Sequence, residues 1–129
     1  MAERRSFWLA DRLRSVACAL RGIRDMLVCH HNSRIHAAAT AAVVAMGVLF
    51  ELTLAEWCAV TFAIMTVWMV EAVNTALEYL TDIASPSYHP LAEKAKDVAA
   101  AAVLIASLGA AITGLLVFGP HLLDHFRGR

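Results

Sequence analysis

The sequence predicts an all-α integral membrane protein: three transmembrane helices preceded by an amphipathic helix on the membrane surface. Three observations carry that expectation. The mean hydropathy is +0.61, with 60% hydrophobic and only 17% charged residues in a chain of 129. The apolar residues are gathered into runs of membrane-crossing length instead of being dispersed as in a soluble domain of this size. The basic residues are lopsided: seven of the eleven Lys and Arg (Arg4, Arg5, Arg12, Arg14, Arg21, Arg24, Arg34) precede the first apolar run. The length favours one domain, residues 1–129.

Residues 5–29 read as the surface helix. Leu9, Leu13, Val16, Leu20, Ile23 and Leu27 recur at intervals of four and three, which draws a narrow apolar stripe. Asp11, Arg14, Arg21 and Asp25 take the opposite side. The stripe suits packing on neighbouring helices and equally a membrane interface, with Arg facing lipid phosphates. The basic start leads into this Arg-punctuated helix, so no cleavable signal peptide is expected.

The first span is placed at about 35–54, apolar from Ala37 onward apart from Thr40, Glu51 and Thr53. Glu51 and Glu56 bracket a short loop without a basic residue. The second span, about 57–81, opens on Trp57, a residue suited to the interface. Its purely apolar part ends at Val70 and covers about 21 Å at ~1.5 Å per residue, less than the ~30 Å of hydrocarbon. Glu71 is therefore expected inside the membrane boundary, with Glu78 and Asp82 emerging from it. Pro86 and Pro90 make Ser85–Leu91 a loop. The third span, about 98–118, is expected to stop at Gly119-Pro120, leaving His121, Asp124 and His125 in a solvated tail. Ala102, Ala106, Ala110 and Gly114 repeat every four residues along it, spacing that lets helices approach closely in lipid. A three-span chain this small needs copies of itself to enclose a site, so a homo-oligomer is expected.

Basic residues set the orientation. The first loop has none, the second has Lys94 and Lys96, and the tail has Arg127 and Arg129. Counting them puts the N-terminus and the second loop in the cytoplasm. The three cysteines, Cys18, Cys29 and Cys58, show no metal spacing and read as structural thiols. No basic stretch interleaved with aromatics points to nucleic acid.

The chemistry concentrates on the second span. At 100° per residue, Glu71, Asn74, Thr75, Glu78 and Asp82 fall within about 100° of one another, on one helix face. Carboxylates at the edge of hydrocarbon mark a pathway, a relay or a metal site more often than a packing choice. The second loop adds Tyr88, His89, Glu93, Lys96 and Asp97. Together these supply carboxylates for a divalent cation, a cation for phosphate and a carboxylate to take a proton, the parts that phosphoryl transfer needs. A P-loop and a soluble protein-kinase signature are both absent from the sequence. Bland readings stand beside the sharp one: Asp82 as a structural ion-pair partner, Lys96 and Asp97 as the start of the third helix, His89 as a loop residue. Lys96 near a helix N-terminus opposes the helix dipole, which favours a phosphate partner.

Glu71-Ala72-Val73-Asn74-Thr75-Ala76-Leu77-Glu78, then Asp82, then His89-Pro90-Leu91-Ala92-Glu93-Lys94-Ala95-Lys96-Asp97 resembles the signature of the prokaryotic diacylglycerol kinase family, which includes the undecaprenol kinases. The resemblance reaches back through Gly22 and Asn32-Ser33-Arg34-Ile35-His36 and covers nearly the whole chain. It implies a homotrimer in the bacterial cytoplasmic (inner) membrane that uses ATP and Mg²⁺ (or Mn²⁺ or another divalent cation) to phosphorylate the hydroxyl of a membrane lipid, undecaprenol or diacylglycerol. By position Glu71 matches the general base and Asn74 a catalytic residue that orients it. Glu78 matches a metal-binding carboxylate. Ser87, Tyr88, His89, Lys96 and Asp97, with Glu78, match the nucleotide-contacting groups. Glu71 and Arg34 are the candidates for contact with the lipid substrate.

One departure stands out. The family commonly has Glu-x-Asn-x-[RK]-[IV]-His after the surface helix, and that Glu is a second metal ligand. His30 takes its place here. Imidazole is a poor partner for Mg²⁺ and a better one for Zn²⁺, Mn²⁺ or Fe²⁺. Three outcomes stay open: the metal is held by Glu78, phosphates and water; the preferred metal has changed; or catalysis is weakened. Two rival functions follow, a catalytically impaired member that binds lipid or nucleotide, and a small proton-coupled transporter with Glu71 as its relay.

Overall fold

The structure, a computed structural model, describes residues 2–128, with side chains from Trp8 onward. They form four α-helices: α1 Ala2–Cys29, α2 His31–Leu49, α3 Leu54–Ala84 and α4 Pro90–Phe126. A single extended residue, His30 (φ −108°, ψ 121°), separates α1 from α2. The apolar stripe of α1 is uncovered by its own chain: Leu9, Leu13, Val16, Leu20 and Ile23 are all more than half exposed. Among the described side chains of α1, those of its last turns dock, through buried Met26 and half-buried Leu27.

The helix of the first span ends at Leu49, five residues short of the expected boundary. The chain turns sharply there, with Glu51 in the left-handed region (φ 53°) and Leu52 donating back to the Gly47 carbonyl at 3.1 Å. Gly47 is required at this point, because a Cβ would sit 2.7 Å from Cη2 of Trp57. Glu56, expected at the edge of the loop, belongs to α3. Thr53 caps that helix in a capping box: the Thr53 N–H donates to Glu56 Oε2 at 2.8 Å, and the Glu56 N–H to Thr53 Oγ1 at 3.4 Å.

α3 spans about 46 Å at ~1.5 Å per residue and packs along α4, whereas α2 meets α3 over a shorter length. His89 caps α4, its Nδ1 accepting from the Leu91 N–H at 3.2 Å, with Pro90 at the first helical position.

The expected stop at Gly119-Pro120 is not observed: α4 runs through Pro120 to Phe126. Proline removes one backbone donor, but tertiary contacts hold the turns beyond it. Phe118 is buried against Leu52 and Val60, and His121 Nε2 lies 2.9 Å from Glu56 Oε1 and stacks on Phe50. His121 is thus part of the packed end of the molecule, not a solvated tail; Asp124 and His125 remain exposed.

Among the described residues, α3 and α4 are long and apolar enough to cross a membrane. The polar opening of α2 (Asn32, Ser33, Arg34, His36) leaves that helix below the same measure.

Candidate active site

Of the α3 face read from the sequence, the fold buries Glu71, Asn74 and Thr75, and leaves Glu78 half-buried and Asp82 exposed. Glu71 is 1% exposed, and Asn74 and Thr75 are buried with it, one turn beyond the buried apolar Val67. Ser33, on the first turn of α2 and fully buried, donates its hydroxyl to Glu71 Oε1 at 3.1 Å. His36, one turn further along α2, brings Nε2 to 4.0 Å from Glu71 Oε2. Oε2 itself has no hydrogen-bond partner, and neither do Asn74 Oδ1, Thr75 Oγ1 or Ser107 Oγ, all buried. Buried polar atoms left this way are costly unless something else completes them.

One turn on, Asn74 Nδ2 donates to Glu78 Oε1 at 3.0 Å. A cleft of about 330 Å³ opens here, walled by Asn32, His36, Asn74, Glu78 and Ser107 with the apolar Val103 and Leu104 of α4. Glu78 Oε2 faces His30 Nδ1 at 3.6 Å. Both residues read as metal-ligand candidates are therefore brought together. One carboxylate and one imidazole fit a divalent cation that takes the rest of its shell from phosphate and water. Among the described residues no group of three or more His, Cys, Asp and Glu is assembled for a metal.

A second recess, about 340 Å³, lies where α3 meets the second loop. Ser87, Tyr88, His89, Lys96 and Asp97 all line it, together with Asp82 and Glu93. Lys96 Nζ pairs with Asp82, which joins the ends of α3 and α4. The Tyr88 hydroxyl donates to Glu93 Oε2 at 2.8 Å, and this bond raises the phenol's pKa above its ordinary value. The lysine here is only partly covered, so it has room to exchange its carboxylate for an incoming phosphate.

Arg34 behaves differently from the rest. Its guanidinium donates to the Val28 carbonyl at 3.1 Å, tying α2 to the end of α1, whereas the polar partners of Glu71 among the described residues are Ser33 and His36. Two residues that pattern alone does not single out stand closest to the buried acid, Ser33 and His36. They lie three apart on α2 and so share a face, but their partner is reached only across the helix pair. A third group, Tyr79, is next to Glu78 in sequence and joins His30 to Asp25.

A family model described as prokaryotic diacylglycerol kinase matches residues 17–118. The undecaprenol kinase of Bacillus subtilis is 39% identical over 109 residues, covering 84% of this chain and 89% of that protein. A diacylglycerol kinase of Synechocystis sp. is 36% identical over 104 residues, covering 80% of this chain and 59% of that protein. A diacylglycerol kinase of Escherichia coli K12 is 41% identical over 59 residues, with 46% of this chain and 48% of that protein covered.

Proposed function

The chain belongs to the prokaryotic diacylglycerol kinase family and is a membrane lipid kinase, and on that premise we propose that it transfers the γ-phosphoryl group of ATP to the terminal hydroxyl of undecaprenol. The observation that carries the assignment of roles is the buried Glu71, held through Oε1 by Ser33 while Oε2 is left without a hydrogen bond. An acid in that position accepts the proton of an alcohol delivered from the lipid side. The lipid oxygen then forms its bond to the γ-phosphorus as the bond to the ADP oxygen breaks, and the proton resides on Glu71 until it is released.

The remaining residues position and neutralise charge, which is most of what phosphoryl transfer asks of a protein. Asn74 bonds the carboxylate of Glu78 and keeps the polar face in register with Glu71. Glu78, with His30 opposite, is the place for a divalent cation, whose contribution when bound is to offset the negative charge of the phosphates. Lys96 and Asp97, with Ser87, Tyr88 and His89, take the nucleotide in the second recess. The membrane reading that goes with this has three spans, the N-terminus and second loop in the cytoplasm and a homotrimer in the bacterial inner membrane. Exposed apolar residues along α2, α3 and α4, such as Val48, Phe62, Ile83, Ile105 and Leu115, support a surface covered by lipid and by other copies.

Undecaprenol is favoured over diacylglycerol because a relative matched over 84% of this chain and 89% of its own length is an undecaprenol kinase. The test is transfer of label from γ-labelled ATP in bilayers containing undecaprenol, diacylglycerol or ceramide in turn. Label should appear fastest on undecaprenol. Glu71→Gln, in the same folded assembly, should lower turnover by roughly 10²-fold or more. Undiminished turnover in that variant removes Glu71 from its role, and preference for diacylglycerol overturns the choice of lipid.

A further inference from the structure

The carboxylate of Glu78 is secured on one side only. Oε1 accepts from Asn74, while Oε2 looks across 3.6 Å at Nδ1 of His30. That gap is too long for a hydrogen bond. His30 is in turn oriented from behind: its Nε2 lies 3.0 Å from the Tyr79 hydroxyl, and that hydroxyl donates to Asp25 Oδ2 at 2.6 Å. A phenol carries one proton, and at this distance from a carboxylate it belongs to the bond with Asp25. Nε2 must therefore be the donor to Tyr79. In the neutral ring Nδ1 is then the nitrogen whose lone pair is turned toward Glu78.

Two electron-pair donors thus face each other, each fixed by a partner on its far side. A metal-ligating histidine has this form, its other ring nitrogen held by a carboxylate or by a group leading to one, and ligating carboxylates are hydrogen-bonded in the same way. Two ligands at ~2.1 Å from one cation lie roughly 3.0–3.4 Å apart for octahedral to tetrahedral angles, so a side-chain adjustment of a few tenths of an ångström from the observed 3.6 Å brings both onto one ion. The relay uses three elements: Asp25 from α1, His30 from the α1–α2 junction, and Tyr79 and Glu78 from α3.

We propose that His30 Nδ1 and Glu78 Oε2 form a divalent-cation site that favours Mn²⁺, Co²⁺ or Zn²⁺ over Mg²⁺, with Tyr79 and Asp25 as its positioning residues. An imidazole suits borderline cations, whereas Mg²⁺ favours hard oxygen ligands and strict geometry. The proposal rests on the kinase reading in one respect: with only two side chains available, nucleotide phosphate completes the shell.

The experiment uses the full chain in bilayers with manganese(II) chloride and a non-hydrolysable imido analogue of ATP. Pulsed electron paramagnetic resonance of the bound Mn²⁺ should show coupling to an imidazole ¹⁴N. In His30→Glu that coupling should vanish while Mn²⁺ still binds, and the ratio of Mn²⁺ to Mg²⁺ affinity should fall tenfold or more. Tyr79→Phe keeps the ring in place and removes its orientation, so Mn²⁺ affinity should drop roughly tenfold with little change for Mg²⁺. Mn²⁺ that binds without nitrogen coupling, no Mn²⁺ binding at all, or an unchanged affinity ratio in His30→Glu would overturn the proposal. Phosphoryl transfer measured in the same vesicles separates the two readings. Transfer without nitrogen coupling sinks the cation proposal alone, and coupling without transfer to any lipid alcohol sinks the kinase assignment alone.

Discussion

At the scale of single residues, the working parts of Glu71 are its two oxygens, which have unequal surroundings. Ser33 occupies Oε1, and among the described residues Oε2 has no hydrogen-bond partner, with His36 Nε2 4.0 Å away. A hydrogen bond to a charged group contributes about 1.5–3 kcal/mol. If that bond serves to aim the carboxylate, Ser33→Ala should lower kcat by roughly 10–100-fold and leave KM for ATP nearly unchanged, since the nucleotide is proposed to bind in the other recess. Steady-state kinetics on both substrates decides it, and an equal rise in KM with kcat intact would make Ser33 a packing residue only. Glu71, Asn74 and Glu78 were legible because they share one helix, where the 100° step alone fixes who faces whom. Ser33 was not legible as their partner. A serine in the first turn of a helix is an ordinary local choice, and its contact with Glu71 exists only once α2 lies against α3.

At the scale of elements, the same division between local and long-range order recurs. The break at Ser85–His89 follows from Pro86 and Pro90, although α4 already starts at Pro90 and takes in Leu91, expected in the loop; the Thr53-x-x-Glu56 cap is as local, yet it starts α3 ahead of the expected opening at Trp57. Pro120 is the opposite case: the local rule ends a helix there, and the contacts of Phe118 with Leu52 and of His121 with Glu56 override it. The docking of α1 is also long-range, for its stripe is exposed and its polar link to α3 is the bond from the Tyr79 hydroxyl to Asp25. That bond, and then the Cys29 thiol, hold the Asp25 carboxyl below its ordinary range. A lowered value in the folded state means that the carboxylate form is favoured by folding. Its contribution is present above the unfolded value of about 3.9 and is lost as pH falls through the lower folded value. Asp25→Asn should accordingly reduce the thermal midpoint in detergent at pH 7, with the difference from the parent chain shrinking toward pH 3. A constant difference across that range would mean that charge is not what docks α1.

At the scale of the whole molecule, the placement of Glu71 decides which side of a membrane supplies each substrate. Seventeen residues separate Leu54 from Glu71 along α3, or about 26 Å, so the acid lies near the far edge of the ~30 Å hydrocarbon layer. The turn at Phe50–Thr53 and the loop at Ser85–His89 mark the opposite ends of that helix. Arg and Lys residues cluster ahead of the first apolar run and near the second loop and are missing from the first turn, a distribution that under the proposed kinase reading favours the cytoplasmic side for the nucleotide recess and the buried acid. In the proposed reaction an alcohol carried by a lipid would meet Glu71 from within the layer, and ATP would meet Lys96 from water. The thiols allow a direct measurement. Cys18 and Cys29 are exposed on α1, on the side assigned to the cytoplasm, and Glu51 stands exposed at the other end. In a variant lacking Cys58 and carrying Glu51→Cys, a membrane-impermeant maleimide added to spheroplasts should label position 51 at once. It should reach Cys18 and Cys29 only after the membrane is permeabilised. Labelling in the reverse order would turn the molecule over, leave the phosphate-binding recess outside with no nucleotide to use, and break the link between the buried acid and the reaction assigned to it.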